Sequence, residues 1–89
     1  MKAIITVMGH DQVGVLAKIS TVCANYNSNV LEVNQNIIND MFNMIMIIEI
    51  DNMKASLKEF KKEMEYVGKE LGMKIHIMHE DIFNCMHKI

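Results

Sequence analysis

The 89-residue chain has no proline, no tryptophan and no arginine, only two cysteines, and no apolar run approaching the roughly 18 residues that a membrane span requires. Without arginine, and with a formal net charge of −2, it lacks the clustered cations and the guanidinium fork by which proteins hold phosphate backbones, so nucleic acid is not an expected partner. Cys23 and Cys85 are too few and too far apart for a disulfide framework or a CxxC site. Cys23 reads as a small core residue and Cys85 as a reduced thiol. Met1-Lys2 leads directly into a strand pattern, with none of the features of a signal peptide, and the expected location is cytoplasmic. No P-loop and no G-x-G-x-x-G occurs, and Ser20, Ser28 and Ser56 lie in helix, turn and cap contexts without a nucleophile elbow. The expectation is a protein with no catalytic residues and no cofactor.

What is present is a folded composition, 51% hydrophobic against 22% charged, sized for one domain over residues 1–89. Ten methionines beside abundant Ile, Asn and Lys fit the codon bias of an AT-rich genome better than a plastic binding surface. Four of the nine lysines, Lys54, Lys58, Lys61 and Lys62, alternate with Glu59 and Glu63 near one helix start, as on a solvated helix face.

Along the chain, Lys2 to Met8 reads as a strand ending at Gly9. Val15, Leu16, Ile19, Val22, Cys23 and Tyr26 then recur at helical spacing in a helix beginning near Val13, with Asp11 placed to cap its first amides. A polar turn over Asn25 to Asn29 follows. Val30 to Ile38 and Met41 to Ile50 read as strands joined by a two-residue turn at Asn39-Asp40. Ser56 to Glu59 forms a capping-box pattern for a second helix with an apolar stripe of Leu57, Phe60, Met64, Val67 and Leu71; Gly72 is placed as its left-handed cap. Met73 to Met78 alternates as a last strand.

The order β-α-β-β-α-β describes an α+β, ferredoxin-like sandwich: a four-stranded antiparallel sheet with both helices on one face. In the third strand Phe42, Met44, Met46, Ile48 and Ile50 point one way and Ile45 and Ile47 the other, so the second face also needs cover. A short amphipathic helix in the tail, residues 79–89, with Ile82, Phe83, Met86 and Ile89 on one side, would supply part of it after a 1–78 core. Self-association would supply the rest.

Gly14 raises the sharpest question, because glycine inside a helix costs about 1 kcal/mol relative to alanine. Either it lets a ligand or a neighbouring chain approach the amides at the helix start, or it permits tight packing of helix on sheet. Asp11 likewise reads either as an N-cap or as a ligand contact.

Gly9-His10-Asp11-Gln12-Val13-Gly14-Val15-Leu16 resembles the G-x-D-x-x-G-[IVL]-[LV] signature of ACT domains, in the form found in formyltetrahydrofolate deformylase and glycine cleavage repressor-like proteins. The chain has Gln12-Val13 where that form has Arg-Pro, so a contact made by that arginine is not carried over. The ending, from His79-Glu80-Asp81-Ile82-Phe83 through Met86-His87-Lys88-Ile89, is similar to that of the small stand-alone ACT proteins of the UPF0237 family. The resemblance implies a regulatory homodimer that binds an amino acid or similar metabolite between two domains and signals to a partner protein. Asp11 would accept from the ligand ammonium, the backbone of Gln12, Val13, Gly14, Val15 and Leu16 would surround its carboxylate, and Asn29 would reach it across the interface. A ligand-free adaptor or dimerisation module is the alternative. His76, His79 and Glu80, with His87, do not read as a metal site, because residues three apart on a strand point to opposite faces.

Overall fold

The computed structural model describes residues 1–86; His87, Lys88 and Ile89, including the last apolar position of the expected tail helix, lie outside the described residues. The elements are β1 (Lys2–His10), α1 (Val15–Asn25), β2 (Val30–Ile38), β3 (Met41–Glu49), α2 (Leu57–Leu71), β4 (Met73–His79) and α3 (Glu80–Met86). The four strands form one antiparallel sheet in the order β2-β3-β1-β4, the ferredoxin-like βαββαβ arrangement.

The side-chain period of two sorts each strand cleanly. On β1 and β3 the residues Ala3, Ile5, Val7, Phe42, Met44, Met46 and Ile48 face the helices and are buried. Against them α1 sets Val15, Ile19, Val22 and Cys23, and α2 sets Phe60, Met64, Val67 and Leu71. Phe60 meets Tyr26 edge to face, with ring centroids 5.3 Å apart, and so ties the end of α1 to α2. The β2–β3 turn has positive φ at both Asn39 and Asp40, as a type I′ hairpin turn requires.

Helix α2 ends as its sequence reads: Ser56 Oγ accepts the Glu59 N–H at 3.2 Å, and Gly72 closes the helix in the left-handed region at φ 68°. Helix α1 does not start as expected. It begins at Val15, not Val13, and its N-cap is Gly14, with no side-chain cap, so Asp11 is not the N-cap. Strand β1 is longer than expected and runs through Gly9 to His10. Gly9 continues the strand because it pairs with both Phe42 and Met73; a Cβ there would collide with the Met73 sulfur and lie 3.1 Å from the Gly72 carbonyl oxygen.

On the other face of the sheet, α3 packs against β1 and β4. Ile4, which points away from α1 and α2, is only 6% exposed beneath it. The tail thus covers part of the second face. Along the β2 edge, Leu31 to Ile38 are exposed on both sides of the sheet.

Candidate functional site

The site grows from the four residues between β1 and α1. The Asp11 N–H donates to the Asp40 carbonyl at 2.9 Å, which fixes the loop to the tip of the β2–β3 hairpin. From the other side, Gln12 Nε2 donates to the Leu71 carbonyl at 2.5 Å, one of the carbonyls left over at the end of α2. The loop is therefore held by two different elements before it reaches Gly14. Val13 is fully exposed between these anchors and makes no part of the helix stripe.

Gly14 has φ 90° and ψ 5°, a conformation that costs an L-residue about 1–2 kcal/mol and glycine almost nothing. A Cβ built there would meet nothing within 4 Å, so packing of helix on sheet is not its purpose. The left-handed step turns the chain abruptly from the loop into α1, and the Gly14 carbonyl takes the first helical bond from the Lys18 N–H at 3.0 Å. With no side-chain cap and no acidic residue in the first turn, the amides at the start of α1 have no side-chain acceptor among the described residues. The Asp11 carboxylate has no hydrogen-bond or ion-pair partner among the described residues. Open amides carrying the positive end of the helix dipole and a free carboxylate thus occur within one short loop, the two charges that a zwitterion would need. Val15 is buried, so it offers only its backbone, while Leu16 is partly exposed.

Asn29 lies elsewhere. It immediately precedes β2, beside Glu49, whose N–H donates to the Asn29 carbonyl at 2.9 Å, and Ser28 Oγ donates to the Glu49 carbonyl at 2.8 Å. Glu49 pairs with Lys2 across β1, whereas the Asp11–Gly14 loop follows His10, which pairs with Met41 at the opposite end. Eight residues of strand, roughly 26 Å at 3.3 Å each, separate the two ends. One chain therefore does not bring Asn29 to Asp11. Asn29 instead borders a cleft of about 470 Å³ with Ser20, Ala24, Asn27, Glu49 and Asn52, a cleft that sequence reading misses because its walls come from two stretches of chain far apart in sequence.

Among the described residues the histidines give no second centre. His76 pairs with Thr6 on the face away from α1 and α2, while His79 Nδ1 accepts the Asp81 N–H at 3.1 Å. No three His, Cys, Asp or Glu side chains come together to hold a metal ion among the described residues. Burial pushes the Cys23 thiol up to about 11, which keeps it protonated and unreactive near neutral pH. No helix among the described residues is long and apolar enough to cross a membrane.

The βαββαβ order, the antiparallel sheet β2-β3-β1-β4 and the glycine-bearing turn into α1 are those of the ACT fold, a regulatory ligand-binding fold, and comparison with known proteins agrees. The ACT domain family model matches residues 2–78. A UPF0237 protein of Methanocaldococcus jannaschii is 42% identical over 88 residues, 99% of this chain and 98% of that protein. An ACT domain protein from Streptococcus pneumoniae has the same fold with a TM-score of 0.81, at 34% identity over 93% of each chain. A formyltetrahydrofolate deformylase from Pseudomonas syringae superposes with a TM-score of 0.80 at 25% identity, this chain covering 27% of that enzyme. The chain belongs to the ACT domain family, among its UPF0237 members.

Proposed function

We propose that this protein is a homodimeric metabolite sensor that binds an amino acid between two chains and passes its occupancy to a partner protein. The observation that carries the reading is the uncapped start of α1 beside an unpartnered Asp11. The ligand carboxylate sits on the amides at Gly14, Val15 and Leu16, and its ammonium donates to Asp11. Gln12, by gripping α2, and Val13 hold the loop open around it.

The second chain enters through β2. This edge strand is nine residues long, contains no proline or lysine, and exposes Leu31, Val33, Ile37 and Ile38, so little prevents another strand from pairing with it. Two β2 strands paired antiparallel about a two-fold axis bring the Asn29 end of one chain to the loop end of the other, and the cleft beside Asn29 is then closed by the partner's α1 start. Ligand binding stabilises that packing of two chains over the unpaired state, and the difference in affinity is the signal. The protein acts in the cytoplasm and carries out no chemistry of its own.

The test is a thermal-shift screen against the free amino acids, with light scattering to follow the oligomeric state. A ligand at about 100 times its Kd raises stability by roughly 2.7 kcal/mol, several degrees for a chain of this size. A selective shift that Asp11→Ala abolishes supports the sensor. A flat screen on a stable dimer transfers the reading to an adaptor whose fold serves association alone.

A further inference from the structure

The sheet has two edges, and they differ in kind. Strand β2 carries no lysine and exposes apolar residues, whereas β4 runs among cations. Which backbone groups β4 leaves free follows from the ladder. The Ile50 N–H donates to the Met1 carbonyl at 3.1 Å, so the hydrogen-bonded pairs between β1 and β3 are those of the odd-numbered β1 residues. The even-numbered residues Ile4, Thr6 and Met8 therefore bond to β4, through Met78, His76 and Lys74. The N–H and C=O of Ile75 and Ile77 point away from the sheet, with no backbone partner among the described residues. Gly68 brings α2 close to the first residue of the strand, where an added Cβ would lie 2.9 Å from the Met73 carbonyl oxygen. Further along, Lys61, Met64 and Glu65 of α2 and Ile75, His76 and Ile77 of β4 border a groove of about 240 Å³.

Around this edge the charges of α2 separate. In the sequence its lysines and glutamates are interleaved, but at about 100° per residue they sort onto opposite flanks of the helix. Lys58, Lys61 and Lys69, with Glu65 among them, lie on the flank of Gly68, which packs on β4. Glu59, Glu63 and Glu70 lie on the flank of Val67, which faces α1. On the other face of the sheet, Lys74 and His76 are exposed on β4 itself. The open edge thus runs between lysines on both sides, in a chain whose net charge is −2. Glu80 and Asp81 end the cationic stretch beyond His79.

We infer that β4 takes up an extended acidic segment of a partner protein as an added strand. The main chain of that segment bonds to Ile75 and Ile77, and its side chains alternate between the α2 side and the Lys74 side, so an acidic residue on either face meets a lysine. The same lysines keep a second copy away. Two β4 strands paired about a two-fold axis would set one cationic flank against another, and lysine on an edge strand is a guard against such pairing. This edge is distinct from β2, so a pair of chains joined through β2 keeps a free β4 at each end. The inference rests on the partner protein of the proposed function and holds for the sensor and the adaptor alike.

Fluorescence anisotropy on the full chain tests it, with labelled nonapeptides in which Asp or Glu alternates with Val or Thr, and matched peptides carrying Lys in place of the acids. The acidic peptides are expected to bind and the basic ones not, with binding that weakens as salt rises. Methylating one alternate set of peptide nitrogens is expected to abolish binding, and methylating the other set to leave it, because only one set faces β4. The double variant Lys61→Glu, Lys74→Glu, at exposed positions and checked for folding by circular dichroism, is expected to lose about tenfold or more in affinity. Val33→Lys on the β2 edge leaves peptide binding unchanged. Acidic peptides unbound at about 1 mM, bound as tightly by the double variant, or bound equally with either set of nitrogens methylated overturn the inference. A fall in assembly mass in the double variant assigns β4 to a second copy and overturns it too. An empty peptide screen beside an intact amino-acid thermal shift removes this inference alone, whereas peptide binding without any amino-acid shift removes the sensor reading alone.

Discussion

Replacing Gly14 by alanine separates two accounts of the loop by the sign of the stability change. Were Gly14 an ordinary residue within the first turn of a helix, alanine would stabilise the protein by about 1 kcal/mol through its higher helix propensity. Gly14 instead lies at φ 90°, where an L-residue is strained by about 1–2 kcal/mol. No atom crowds the position, so the strain is purely conformational and no cavity or collision adds to it. Alanine also restricts the unfolded chain, an effect of about 0.4–1 kcal/mol in the opposite direction that native-state strain outweighs where φ is positive. The expected outcome is a loss of about 1–2 kcal/mol. For a domain of this size each kcal/mol moves the Tm by roughly 4–8 °C, well within the resolution of thermal unfolding followed by circular dichroism. Gly14→Asn should lose less, because asparagine tolerates the left-handed region better. A Gly14→Ala protein as stable as the wild type, or more stable, would refute the claim that backbone conformation is what requires glycine here.

Three further outcomes follow from the same geometry. Gln12→Ala removes the donor to the Leu71 carbonyl and should cost about 1 kcal/mol in urea unfolding, whereas an exposed substitution at Val13 should change stability by less than ~0.5 kcal/mol. Asp11→Ala should leave the unliganded protein within about 0.5 kcal/mol of wild type, since its carboxylate caps nothing; a loss near the ~1 kcal/mol typical of an N-cap would contradict the structure. Because folding raises the Cys23 thiol to about 11 from an unfolded value near 8.5, the folded state holds the proton more tightly. Stability from this residue is therefore complete below about pH 8.5 and falls as pH rises towards 11, which urea titrations of wild type and Cys23→Ala should separate. At pH 8 a thiol reagent should modify the exposed Cys85 and reach Cys23 only on unfolding.

Much of this protein is legible in one dimension because its signals are local. The stripe of Phe60, Met64, Val67 and Leu71, the Ser56 cap, the Gly72 stop and the Asn39-Asp40 turn each depend on residues within a few positions of one another, and each stands where periodicity and turn chemistry put it. Helix α1 also follows its stripe through Val15, Ile19, Val22 and Cys23. The residues around Gly9 and Gly14 read differently because their constraints come from afar. Gly9 ends a strand by composition, yet it continues β1 since Phe42 and Met73 pair with it, residues 33 and 64 positions away. Asp11 has the right chemistry and spacing for an N-cap. Its backbone is drawn to Asp40 instead, and the left-handed turn at Gly14 leaves the helix start without a cap.

The sequence by itself determined the order of the elements, the apolar face of each helix and the polar character of the loop, because these follow from side-chain period and backbone preference alone. Tertiary structure decided that Gln12 grips the end of α2, that α3 packs on β1 and β4, and that Asn29 and Asp11 lie at opposite ends of the sheet. Those facts depend on which strands are neighbours and in what register, and register is set by long-range pairing whose partners no local pattern names.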